Sequence, residues 1–158
     1  MHGVIGFTPG VFDLFHVGHL DVLRRSARSC DRLVVGVWSD ELAERVHGAR
    51  PVVPLLERME IVGNVRGVHD VVPLEEAALR PAWDAVGFGV VFTGADASPG
   101  DSADSVGSAA SAERELEGTG VRVVRFTDLA ETRSPVLRER IRLSRAGGAG
   151  AAPRTSVA

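Results

Sequence analysis

Two histidines three residues apart, His16 and His19, close the run Thr8-Pro9-Gly10-Val11-Phe12-Asp13-Leu14-Phe15-His16-Val17-Gly18-His19. At that spacing on a helix both rings face the same way. A helix start carries free N–H groups and partial positive charge, which makes it a seat for phosphate. Two imidazoles placed there add hydrogen-bond donors for phosphate oxygens. Gly10 and Gly18 lack a Cβ, so a triphosphate can approach the backbone closely. Phe12 is read as packing beneath the site. Asp13 either orients a histidine or fixes the loop. A single histidine at a helix start would equally suit a cap or a core position. The pair in this frame points to chemistry on phosphate.

The elements that must hold this run follow from the hydrophobic pattern. Val4 to Phe7 is β-prone and meets a turn signal at Thr8-Pro9-Gly10. A helix follows from Gly18, with Leu20, Leu23 and Ala27 on one face. Arg32 to Trp38 reads as a buried strand, and Ser39 as the N-cap of a short helix. His47 to Pro54, with its glycine and two prolines, is a loop. Leu56 to Val65 reads as a helix, Val68 to Val72 as a strand and Ala77 to Val86 as a weaker helix. Gly89 to Thr93 and Val121 to Phe126 are strands, and Pro135 to Ser144 is a closing helix. This alternation predicts a doubly wound, Rossmann-like α/β fold with a five-stranded parallel sheet. Ligands of such sheets bind beyond the carboxyl ends of the strands, at the switch point. One domain over 1–145 is expected, with a mobile loop at about 95–112 and a flexible tail over 146–158.

The composition excludes several classes. With 158 residues, 44% apolar and 25% charged, the chain is globular rather than disordered. A net charge of -3 and the absence of a basic stripe argue against nucleic acid. The lone cysteine, Cys30, excludes a disulfide within the chain. No apolar run approaches the ~20 residues of a membrane span, and the N-terminus does not read as a signal peptide. A cytoplasmic protein is therefore expected. All 18 basic residues are arginines, so any phosphate-binding lysine must be replaced or missing.

The run from Thr8 to His19 resembles the T-x-G-x-F-D-x-x-H-x-G-H signature of the cytidylyltransferase-like nucleotidyltransferases, with every fixed position filled. Further resemblance lies in Ser39-Asp40-Glu41, in the G-x-x-P-V-x-x-x-x-E-R pattern of Gly48 to Arg58, in Phe92-Thr93-Gly94-Ala95-Asp96 and in the turn at Ser134-Pro135. The small glycerol-3-phosphate cytidylyltransferases are the nearest type. The resemblance implies that a phosphate on a small acceptor attacks the α-phosphorus of CTP and pyrophosphate leaves. His16, His19 and Arg58 would be catalytic. Thr8, Pro9, Gly10, Val11, Phe12, Asp13, Gly18, His19, Gly94, Asp96, Thr132, Arg133, Ser134 and Arg138 would bind the nucleotide. Asp40, His47, Arg50 and Arg58 would bind the acceptor. Mg²⁺ would be held mainly by the phosphates. Relatives are often homodimers, which the apolar residues near Val62 to Val72 permit.

The sequence also departs from this pattern. His47 stands where the family has a lysine, the G-D-D-W stretch is Gly94-Ala95-Asp96-Ala97, and the arginine leading the last turn is missing. Ser134 with Arg138 four residues on resembles instead an adenylyltransferase pattern, which keeps ATP as the alternative nucleotide. A nucleotide-binding module without catalysis is the second alternative.

Overall fold

The computed structural model describes residues 3–94, 109–127 and 134–147. In chain order the elements are β1 (Ile5–Gly10), α1 (Val17–Arg28), β2 (Arg32–Trp38), α2 (Asp40–His47), α3 (Leu55–Gly63), β3 (Val68–Leu74), α4 (Leu79–Val86), β4 (Val90–Thr93), α5 (Ala109–Glu115), β5 (Arg122–Arg125) and α6 (Ser134–Gly147). The five strands are parallel and lie in the order β3-β2-β1-β4-β5. The chain steps outward from β1 to β3, then returns to the other side of β1. The switch point is therefore the gap between β1 and β4.

Two apolar clusters cover the two faces of the sheet. On one face α1 and α3 bring Leu23 and Val62 against Leu33, Val35, Val37, Val90 and Phe92. On the other, α2, α4 and α5 bring Leu42, Leu79, Ala82 and Ala112 against Phe7, Val34, Trp38 and Val91. Burial on both faces explains why the strands read as apolar runs rather than alternating ones. Val62 is fully buried in this core, so it offers nothing to a dimer surface.

Local signals set most boundaries. The Ser39 hydroxyl accepts from the Leu42 N–H at 3.1 Å and opens α2. Gly48, at φ 75°, closes the same helix in the left-handed conformation that favours glycine.

Three expectations change. Thr8-Pro9-Gly10 continues β1 instead of turning. The ladder to β2 runs on to Gly10↔Val37, whereas pairing with β4 is confined to Gly6↔Val90 and Phe7↔Val91. Pro9, with no N–H to donate, thus lies where one side of the ladder has already ended. Residues 109–112, expected in a mobile loop, open α5; alanine favours helix, and Ala112 and Leu116 close on the core one turn apart. α6 begins at Ser134 and runs to Gly147, so 146–147 are helical rather than tail.

Candidate active site

The loop from Val11 to His16 leaves the carboxyl end of β1 at the switch point. Phe12 and Leu14 both adopt positive φ, 55° and 48°, which non-glycine residues rarely tolerate. The residue between them, Asp13, is fully buried and over-determines that conformation. Its carboxylate accepts the Val52 and Val53 N–H groups, each at 2.9 Å, and the Arg138 guanidinium at 2.5 Å. Of the two roles read for Asp13, these bonds give it the fixing of the loop. They also bring α6 to the switch point across 125 residues of sequence.

His16 is the N-cap of α1, and its Nδ1 accepts from the Gly18 N–H at 3.1 Å. A ring nitrogen that accepts carries no proton, so the ring proton sits on Nε2 as a donor. The reading of His16 as a cap is therefore met through Nδ1. His19 is 7% exposed, and its ring stacks on His16 with centroids 3.9 Å apart. Phe12 meets His19 edge-on at 5.3 Å, and Phe15 lies 5.5 Å away. Three rings thus hold this imidazole in one orientation. Thr8 donates its hydroxyl to Ser26 at 3.0 Å, pinning β1 to α1 beneath the loop.

Arg58 lies deep between the strand ends. It is buried and donates to the Val53, Val11 and Trp38 carbonyls at 2.8, 2.6 and 2.9 Å and to the Asp40 carboxylate at 2.5 Å. Val11 and Trp38 lie at the carboxyl ends of β1 and β2, where Arg58 supplies their carbonyls with donors. Through these bonds Arg58 is a strut between the ends of β1 and β2. The Asp40 carboxylate meets Arg58 and, at 3.7 Å, Arg50. Arg50, half exposed, lies along α2 on Glu41 at 2.8 Å and Glu44 at 3.4 Å. The Glu41 backbone N–H and then Arg50 hold the Glu41 carboxyl below its usual range; Glu41 in turn holds Arg50 up. His47 ends α2 and stacks on Trp38 at 5.3 Å, with 9° between the rings.

Pro9, Gly10, Val11 and Gly18 are buried around the loop, and Gly94 follows β4 directly at the gap. Asp96, Thr132 and Arg133 lie outside the described residues, as does the Ser134 side chain. Among the described residues no group of three or more His, Cys, Asp or Glu could hold a metal, and no helix is long and apolar enough to cross a membrane. Sequence reasoning passed over Trp38 and Thr93. Their Nε1 and Oγ1 are buried without a hydrogen-bond partner at the carboxyl ends of β2 and β4. A tryptophan directly before an N-cap at a strand end was the available signal.

A doubly wound sheet with two stacked histidines at its switch point defines the class: an α/β domain built to bind a nucleotide's phosphates. The chain belongs to the cytidylyltransferase-like family, whose sequence model matches residues 7–132. It is 39% identical over 121 residues to the bifunctional protein HldE of Acidiphilium cryptum (strain JF-5), covering 76% of this chain and 23% of that one. Against the HldE of Erwinia tasmaniensis it is 36% identical over 122 residues, covering 77% and 24%. The chain thus spans about a quarter of the length of these relatives. The crystal structure of the lipopolysaccharide core biosynthesis protein from Thermoplasma volcanium GSS1 shares the fold, with a TM-score of 0.68 at 23% identity over 80% of this chain and 98% of that one.

Proposed function

We propose that this chain transfers a nucleotidyl group from ATP to a small phosphorylated acceptor of the sugar or polyol class, releasing pyrophosphate. The observation that carries the reading is the stacked His16–His19 pair at the start of α1, facing the β1/β4 gap. An acceptor phosphate oxygen forms the new bond to the α-phosphorus. The bond from that phosphorus to the bridging oxygen breaks, and the electron pair leaves with pyrophosphate. The Nε2–H of His16 and the ring of His19 donate to the crowded α-phosphate as its charge builds. Mg²⁺ belongs to this proposal as an ion carried by the phosphates and water, neutralising the triphosphate.

Three points favour ATP over CTP. The G-D-D-W stretch of the cytidylyl branch is eroded, and the arginine that leads that branch's last turn is missing. Arg138, at the spacing of the adenylyltransferase pattern, is seated on the histidine loop through Asp13. The likeness to HldE proteins covers about three quarters of the chain. CTP stays as the second reading on the strength of Phe12-Asp13 and Ser39-Asp40-Glu41. The test is pyrophosphate release with ATP or CTP, Mg²⁺ and a panel of sugar and polyol phosphates. Release with ATP is expected; release with CTP alone moves the chain to the second reading. Nucleotide binding without release across the panel would leave a module that has lost catalysis, the reading to which the missing lysines and the engaged Arg58 lend weight.

A further inference from the structure

Two polar atoms stand out beyond the histidine loop. Trp38 Nε1 and Thr93 Oγ1 are buried, at 2% and 6% residue exposure, and neither has a hydrogen-bond partner. An unpaired buried donor is costly, and native folds keep few without a reason. Phe7 of β1, Val11 just after it, Trp38 of β2 and Val91 of β4 pack in one cluster. Alternation along β4 therefore puts Thr93 on that same face. β2 and β4 flank β1, so the two residues stand on either side of it, with Trp38 about two residues further along the strands than Thr93. Between them β1 presents Pro9, which has no N–H to offer.

Two kinds of group border this floor, and Arg125 of β5 stands in register beside Thr93. The nearby Arg58 guanidinium gives four of its five N–H donors to three carbonyls and Asp40. What remains is an indole N–H, which only donates, and a hydroxyl, which donates and accepts. Such groups suit hydroxyl oxygens. Resting on the transferase reading above, we propose that Trp38 Nε1 and Thr93 Oγ1 bind hydroxyls of the acceptor's sugar or polyol part, and so set acceptor specificity. His47 stacks on the indole and keeps its edge in one orientation. Both atoms are covered, so the side chains above the strand ends shift when the acceptor binds.

Trp38→Phe keeps an aromatic ring against His47 and removes the N–H. Thr93→Val keeps the shape and removes the hydroxyl. With a hexose 1-phosphate or glycerol phosphate as acceptor, each variant is expected to raise acceptor KM about 10-fold. Nucleotide KM, kcat and melting temperature stay near those of the wild type. The wild type should prefer hydroxylated acceptors to their deoxy analogues, and the variants should lose that preference. Calorimetric binding of the same acceptors gives a readout independent of turnover. Unchanged acceptor affinity in both variants overturns the proposal, and so does a fall in melting temperature with equal losses for nucleotide and acceptor. Failure of the wild type to bind any hydroxylated phosphate also overturns it. Absence of nucleotide-dependent pyrophosphate release with every acceptor counts instead against the transferase reading.

Discussion

The chain carries two arginine- or histidine-bearing motif segments that look equally ready for phosphate, and the fold treats them in opposite ways. Thr8 to His19 presents the Nε2–H of His16 and the ring of His19 at the switch point, with the other His16 nitrogen spent on the helix cap. Gly48 to Arg58 turns Arg58 inward, where three carbonyls and Asp40 take four of its five N–H donors. The difference teaches that a motif fixes which residue stands where, while the unpaired groups around it decide what that residue does. Strand ends next to a left-handed loop leave bare carbonyls, and the nearest five-donor fork is drawn to them.

The sharpest way to break this comparison is Arg58→Met. Loss of the strut is expected to cost about 3–5 kcal/mol, because Asp40 and three carbonyls lose their donor. Urea unfolding measures it; wild-type stability with only kinetic loss would return Arg58 to the phosphates. On the other segment, His16→Ala and His19→Ala are each expected to lower turnover at least ~100-fold without unfolding the protein. His16→Asn sharpens the point, since asparagine also caps helices. It should melt like the wild type and still be inactive, whereas an active variant would reduce His16 to its cap.

A smaller effect is expected at the hinge between the segments. Asp13→Asn weakens the charge-assisted bonds to Val52, Val53 and Arg138 by about 2 kcal/mol in total. Turnover should fall with stability, because the same bonds hold the histidine loop. Arg138→Gln, at a partly exposed pair, should change stability by under ~1 kcal/mol but raise nucleotide KM. An unchanged KM would confine Arg138 to its bond with Asp13. The smallest effect belongs to Arg50→Ala. At about 0.15 M salt its exposed pairs should leave melting temperature and acceptor KM unmoved, while the Glu41 titration rises toward its ordinary range.

Much of this was legible before any coordinates. The apolar runs of β2 and β4, Ser39 as a cap and the histidine pair at a helix start all rest on local spacing, and local spacing is what a sequence records. β1 was read too short because Pro9 signals a turn; only the one-sided ladder at the switch point makes it a strand residue. α5 was missed because its stretch reads as linker, and Ala112 and the following Leu116 matter only once β5 lies beside them.

The sequence by itself determined the alternating fold and the placing of His16 and His19 on one helical turn, since both follow from residue type and periodicity. Tertiary structure alone decided that Asp13 binds the loop and α6, that Arg58 and Asp40 brace strand ends, and that Trp38 and Thr93 are left with unpaired polar atoms. The physical reason is that hydrogen-bond satisfaction is a count over neighbours in space. Asp13 and Arg138 are 125 residues apart, Arg58 and Val11 are 47 apart, and no local pattern in the chain records such pairs.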